Sequence, residues 1–265
     1  MAPRHAAPAD VVRILRAAGC VFAEDEARLL LEADAAGGDL PALTARRAAG
    51  EPLEQVLGWA ELDGLRVAVE PGVFVPRRRS ALLVREALRL LPTAARPGSG
   101  PPLVVDLCCG TGALGAAVAA RRAVEVHAAD LEDAAVRCAR RNLPGHHVHQ
   151  GDLWEALPDA LRGRVDVVLA NAPYVPTARI ALMPPEARDH EPTTALDGGP
   201  DGTAVQARVA AGAAAWLRPG GHLLVETSRA QAGRTLALLA SGGLDAGLVT
   251  DDDLDATVAV GRRPS

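Results

Sequence analysis

The chain has no lysine: all 28 of its basic residues are arginine. Together with the abundant alanine, this reads as compositional bias and not as chemistry. Cysteine is also scarce. The four, at positions 20, 108, 109 and 138, form no CxxC pair, and adjacent Cys108 and Cys109 are poorly placed to bond to each other. A reduced, cytoplasmic protein is the expectation. No apolar run approaches the length of a membrane span, which argues against a membrane protein. The opening Met1-Ala-Pro-Arg-His lacks an apolar signal core, so export is not expected. Glycine and proline cluster only near residues 92–102 and 184–202, too briefly for disorder. A basic region is missing as well. Residues 1–96 are charge-balanced, with 13 arginines against 13 acids, whereas residues 97–265 carry 15 against 20. A domain that grips nucleic acid usually shows a basic face, so this weighs against a DNA or RNA substrate.

What is present is a soluble composition, 49% hydrophobic and 23% charged, over 265 residues, enough for one large domain or two. Its organising stretch is Val104-Val105-Asp106-Leu107-Cys108-Cys109-Gly110-Thr111-Gly112-Ala113-Leu114-Gly115. The run Leu103 to Leu107 is short, apolar and β-branched, as a fully buried strand should be. Gly110 and Gly112 let backbone pass close to a ligand. The Ala-rich run from Ala113 to Ala120 favours a helix, whose N-terminal N–H groups face that ligand. Gly110-x-Gly112-x-x-Gly115, with Asp130 about 20 residues beyond the first glycine, matches a dinucleotide fingerprint. Asp106, four residues before the first glycine, equally resembles the acidic strand end of S-adenosylmethionine-binding proteins. An unliganded turn is the third reading.

Along the chain, residues 1–49 read as a small helical domain. Val11, Val12, Leu15 and Ala18 repeat at helical spacing, a second helix runs from Glu24 to Ala36, and a third follows Pro41 from Ala42 to Ala49. Residues 50–76 read as a β-hairpin linker, with Val67, Val69, Val73 and Val75 in two strands joined through Pro71-Gly72. Residues 77–265 alternate strand and helix. Strands are expected near 103–107, 124–129, 147–149, 165–169 and 220–226, and the last two, near 244–250 and 256–261, have no room for a crossover helix and should pair antiparallel. The expected fold is α/β and Rossmann-like: about seven mostly parallel strands with an antiparallel last strand. Dinucleotide domains typically end all-parallel.

Ligands of such sheets bind beyond the carboxyl ends of the strands, here Asp106, Asp130, Asp152 and Asn171. Asp130 can accept from ribose hydroxyls, Asp152 from an adenine amino group, and Leu153 can pack on the ring. The fourth strand runs into Asn171-Ala172-Pro173-Tyr174. A planar amino nitrogen is a poor nucleophile because its lone pair is delocalised. The Asn171 side-chain oxygen and the Ala172 carbonyl can accept its hydrogens and aim it. Pro173 holds Ala172 extended, and Tyr174 can stack on the planar group. Such a motif favours methyl transfer over hydride transfer.

These residues resemble the class I S-adenosylmethionine-dependent amino-methyltransferases, and most closely the HemK/PrmC-type protein-(glutamine-N5) methyltransferases that act on peptide-chain release factors. Gly50-Glu51-Pro52-Leu53, Gly58-Trp59-Ala60-Glu61, Val75-Pro76-Arg77, His190-Glu191-Pro192, the run Ala195 to Gly202 and Val260-Gly261-Arg262 extend the likeness over nearly the whole chain. The resemblance implies that Asp106, Cys108, Cys109, Gly110, Thr111, Gly112, Asp130, Asp152, Leu153 and Asn171 bind S-adenosylmethionine, yielding S-adenosylhomocysteine. It implies that Asn171, Ala172, Pro173 and Tyr174 hold a glutamine amide of a release factor, with nucleic acid met only through that translation partner. Three positions depart from the family pattern. Ala172 replaces the first proline of the tyrosine motif, Arg78-Arg79-Ser80-Ala81 replaces an acidic-threonine-glutamate stretch, and Leu153 stands where an aromatic is common. The same chemistry on adenine or cytosine, an NAD-binding oxidoreductase and a non-catalytic cofactor binder are the competing readings.

Two basic features stand apart. Arg77-Arg78-Arg79 reads as a solvated face, with Arg77 a possible site residue at a proline-fixed strand end. His146, His147 and His149 flank a short strand with no cysteine or acid nearby to complete a tetrahedral set, so no metal is expected.

Overall fold

The computed structural model describes residues 8–92 and 100–265. The opening Met1–His5 and residues 93–99 of the proline-bearing stretch lie outside the described residues.

Four helices come first: α1 (Pro8–Ala17), α2 (Ala23–Ala35), α3 (Leu40–Ala48) and α4 (Leu53–Leu57). They close on their own apolar cluster, with Val11 and Leu15 from α1, Ala27 and Leu30 from α2, Leu40 from α3 and Val56 from α4. The fourth helix was not anticipated, and it extends the helical packing past residue 49. The hairpin is also displaced. Its strands are β1 (Trp59–Leu62) and β2 (Leu65–Ala68), paired antiparallel around Asp63-Gly64 and not Pro71-Gly72. Asp63 and Gly64 both have positive φ, the geometry of a tight two-residue hairpin turn. Val67 lies in β2, whereas Val69, Val73 and Val75 lie outside the hairpin; all four are buried, so their alternation reports burial beyond the paired strands.

The remaining elements are α5 (Ala81–Leu90), β3 (Leu103–Leu107), α6 (Ala113–Ala119), β4 (Glu125–Asp130), α7 (Asp133–Asn142), β5 (His147–Gln150), β6 (Val165–Ala170), α8 (Thr177–Ile180), α9 (Pro185–His190), α10 (Ala204–Trp216), β7 (Leu217–Thr227), α11 (Ala232–Ser241), β8 (Asp245–Asp251) and β9 (Ala256–Arg262). The sheet order is β5-β4-β3-β6-β7-β9-β8. The first five of these run parallel, while β9 is antiparallel to both β7 and β8, as expected from the short Asp251–Asp253 connection.

Strand alternation divides the core. Val104, Val167 and Leu169 face a layer with α5, α6 and α7. Leu103, Val105, Leu107, Val168 and Ala170 face the opposite layer with α10 and α11. Every residue of β3 and β6 is buried, which explains their near-continuous apolar runs. Helix α6 lies so close to the sheet that a Cβ on Gly115 would come 2.9 Å from Val126 Cγ1. The reversal of strand order between β3 and β6 opens a crevice at their carboxyl ends, where Cys108 and Asn171 emerge.

Candidate active site

Three adjoining cavities occupy that crevice. The largest, about 730 Å³, has Gly110, Asp130, Asp152, Leu153 and Asn171 in its wall, together with Phe74, Leu131, Glu132, Val205 and Arg208. A second, about 400 Å³, is lined by Arg77, Arg79, Ala172, Pro173, Tyr174 and Met183. The third, about 330 Å³, takes in Cys108, Cys109, Gly110, Thr111 and Ser80. Phe74 and Asn171 are walls of all three. Asn171 therefore sits where a ligand in the large cavity would meet one in the second.

The glycine turn is held from below. Asp130 at the end of β4 accepts the Gly110 N–H at 2.8 Å with one oxygen and the Glu132 N–H at 3.0 Å with the other. Carboxylate oxygens carry further lone pairs, so these bonds orient Asp130 without exhausting it. Burial pushes its carboxyl pKa upward. Cys108, beside it, has positive φ, as does Leu153 in the opposite wall. Left-handed backbone at a non-glycine residue costs about 1–3 kcal/mol, and here both instances shape the cavity. The Cys108 and Cys109 thiols are pushed far upward by burial and then by the Asp106 and Asp130 carboxylates. They are protonated, and neither is a nucleophile.

Asp106 lines none of these cavities. It lies wholly buried in β3, with one oxygen accepting the Gly115 N–H at 2.9 Å and the other, Oδ1, without a partner. Burial pushes its pKa up to about 7. A carboxyl whose folded pKa exceeds its unfolded one favours folding when protonated, so its contribution falls as pH rises from about 4 to about 7. Asp106→Asn keeps the shape without the charge. The variant is expected to melt above the wild type at pH 8, with the difference vanishing near pH 4; thermal melts across that range check it.

Asp152 is held by Arg208 of α10 at 2.7 Å. Asn171 continues β6, and its Nδ2 donates to Ser80 Oγ at 3.4 Å. Ser80 Oγ in turn donates to Glu226 Oε2 at 2.6 Å. The same carboxylate receives Arg79 Nε at 3.1 Å and the Tyr174 hydroxyl at 3.2 Å. Gln231 Nε2 donates to the Tyr174 carbonyl at 2.9 Å. Arg79 also lies over the Tyr174 ring, 5.8 Å from its centroid. This relay fixes the Asn171 amide with nitrogen toward Ser80, leaving Oδ1 as an acceptor without a partner among the described residues.

The arginine run is a solvated face only in part: Arg78 is exposed, whereas Arg77 and Arg79 pair with buried glutamates. Arg77 reaches both oxygens of buried Glu191, at 2.7 and 2.6 Å, and that glutamate also accepts the Val75 N–H. Arg77 borders the second cavity, but its charge is committed to tying the linker to the 184–202 segment. Sequence reasoning missed Phe74, Arg208 and Glu226 and gave no role to Ser80 or Glu191; Arg208, Glu226, Ser80 and Glu191 act on partners far away in the chain.

These residues fit S-adenosylmethionine better than a dinucleotide. Asp130, Glu132 and Asp152 line the large cavity, and its arginine is already paired to Asp152. A cationic sulfonium ligand is favoured there, and a pyrophosphate is opposed. Leu131, Leu153 and Val205 supply an apolar wall for a flat base.

Comparison with known proteins agrees. The Methyltransferase small domain matches residues 65–183. The release factor glutamine methyltransferase of Streptomyces coelicolor is 39% identical over 198 residues, covering 72% of this chain and 68% of that protein. The 4-amino-L-phenylalanine/4-methylamino-L-phenylalanine methyltransferase of Streptomyces pristinaespiralis is 38% identical over 201 residues, covering 75% and 68%. A methyltransferase structure from Pyrococcus furiosus shares the fold, with a TM-score of 0.54 at 15% identity, covering 77% of this chain and 91% of that one. With this identity carried across more than two thirds of the Streptomyces coelicolor relative, the chain belongs to the release factor glutamine methyltransferase family.

Proposed function

We propose that this protein transfers a methyl group from S-adenosylmethionine to the side-chain amide nitrogen of a glutamine in a peptide-chain release factor, in the cytoplasm. The observation that carries the reading is the position of Asn171, a wall of both the large acidic cavity and the one lined by Ala172, Pro173 and Tyr174. The cofactor supplies an already activated sulfonium methyl, so no strong base is needed to make it reactive.

Asp130, Asp152, Leu153 and the turn from Cys108 to Gly112 are the proposed cofactor contacts, with Asp106 supporting the turn. Asn171 Oδ1 and the Ala172 carbonyl accept the two amide hydrogens and hold the nitrogen in line. Accepting both N–H bonds also favours the positive charge that develops on nitrogen as its lone pair is drawn out of conjugation, and one of those protons leaves to water once the methyl is transferred, giving the neutral N-methyl amide. Tyr174 stacks on the amide plane. Much of the acceleration then comes from fixed geometry. Burial, and then the Glu226 carboxylate, raise the Tyr174 pKa well above the usual phenol range, so it stays a neutral donor to that carboxylate. Replacement of the motif's first proline leaves Ala172 buried at 1% exposure, which supports a fixed carbonyl despite the substitution.

The helical unit at the start of the chain is proposed to dock the protein substrate. Buried Arg47 binds Glu26 within that unit at 2.6 Å and Glu186 of α9 at 2.7 Å. This ties the unit to the segment that carries Met183 in the second cavity, which supports a docking role.

A second acceptor class is favoured by one observation, the relative named for 4-amino-L-phenylalanine, whose amine is also planar. Steady-state kinetics with a release factor and with 4-amino-L-phenylalanine separate the two. The proposal expects kcat/KM for the release factor to exceed that for the free amino acid. The reverse order would reassign the second cavity to a small arylamine.

A further inference from the structure

The expectation that no acid completes the histidine cluster is overturned by the sheet. Glu125 and His127 are two apart on β4 and so point to the same face. The register places His127 beside His147 and Ala129 beside His149 on the edge strand β5. Glu125 Oε1 lies 3.0 Å from His127 Nε2 and 3.8 Å from His147 Nε2. One ligand atom from each of the three residues lies within 4.8 Å of the other two.

We infer that Glu125, His127 and His147 bind one divalent transition-metal ion of the zinc class. Two imidazole nitrogens and one carboxylate oxygen are a borderline donor set, suited to zinc, nickel or copper and poorly suited to magnesium or calcium. Three protein ligands leave a fourth position, and the His147 side chain, 55% exposed, keeps that position open to water. The outer support is also present. His127 Nδ1 lies 3.0 Å from His149 Nε2. When the metal takes Nε2 of His127, the Nδ1–H donates to His149, which fixes the tautomer and the ring. Without metal, the Nε2–H donates to Glu125 instead, and Glu125, His127 and His149 remain hydrogen-bonded to one another.

The ion would clasp β5, a four-residue strand at the sheet edge, to β4. His127 stands three residues before Asp130 at the end of β4, and His149 three residues before Asp152, just past the end of β5. The clasp therefore braces the two strands that deliver both carboxylates to the large cavity. This role is independent of which acceptor the enzyme methylates.

Titration of the untagged, full-length protein with zinc chloride, followed by calorimetry, tests the site, with cobalt(II) visible absorption as a second readout. One equivalent should bind. His147→Ala and Glu125→Gln should each weaken binding about a hundredfold or more. His149→Ala should weaken it about tenfold, the scale of an outer-shell partner. His190→Ala, outside the cluster, should bind as the wild type does. Melting of the metal-free variants confirms that each is folded. Absence of stoichiometric binding by the wild type, or binding that survives in both His147→Ala and Glu125→Gln, overturns the assignment.

Discussion

Asn171→Ala is expected to lower kcat/KM about 10²–10³-fold, or ~2.7–4 kcal/mol of transition-state stabilisation. The residue contributes one of two acceptors proposed to fix the nucleophile, and nothing nearby replaces it. Ser80 loses its donor partner, and the Ala172 carbonyl alone cannot set the orientation of the amide. The fold should be little affected, because the Asn171 side chain makes one long hydrogen bond, at 3.4 Å. Cofactor affinity should change by less than tenfold, since Asn171 is one wall among many in the large cavity. Kinetics and cofactor calorimetry on the same preparation check both halves. Unchanged turnover would remove Asn171 from the mechanism, and a loss confined to cofactor binding would make it a binding residue only.

The second large effect is expected at Glu226. This carboxylate is 1% exposed and accepts from Arg79, Ser80 and Tyr174. Glu226→Gln puts an NH₂ group among those donors. We expect a loss of about 1–3 kcal/mol in stability, from buried donors left without a full set of acceptors. We also expect kcat to fall by up to about 10²-fold, because the Asn171 amide and the Tyr174 ring lose their fixed orientation together. Ser80→Ala separates the two effects. It cuts the relay to Asn171 while leaving Arg79 and Tyr174 on Glu226, so it should lower kcat with a smaller cost in stability. Cofactor affinity should hold in both variants. A fall in stability with kcat unchanged would reduce Glu226 to a packing role.

The parts of this site that can be read from the sequence are those written in consecutive residues. The β3 strand and its glycine turn show in the run Val104 to Gly115, because strand burial, turn chemistry and helix propensity fall in order there. The Asn171–Tyr174 motif is equally local. The antiparallel final strand follows from the absence of a helix-length connection at Asp251–Asp253. The supports of these motifs are not local. Glu226 reaches Ser80 across 146 positions of sequence, and Glu191 reaches Arg77 across 114. Arg77 and Arg79 read as surface because their partners are isolated glutamates in other segments. The hairpin was misplaced for a different reason. Alternating valines report which side chains are buried, whereas strand pairing is set by turn geometry, and Asp63-Gly64 was the stronger turn signal. The histidine face was hidden because it depends on register, which brings Glu125 and His127 beside His147 from a separate strand.

The central claim is tested most directly by locating the transferred methyl group. Purified protein, methyl-labelled S-adenosylmethionine and a purified release factor are incubated, and the product is mapped by mass spectrometry. The account predicts one methyl group on the side-chain nitrogen of one glutamine of the release factor, formed far more slowly by the Asn171→Ala variant. Label on another residue or in RNA, or none at all while cofactor binding is intact, would contradict it.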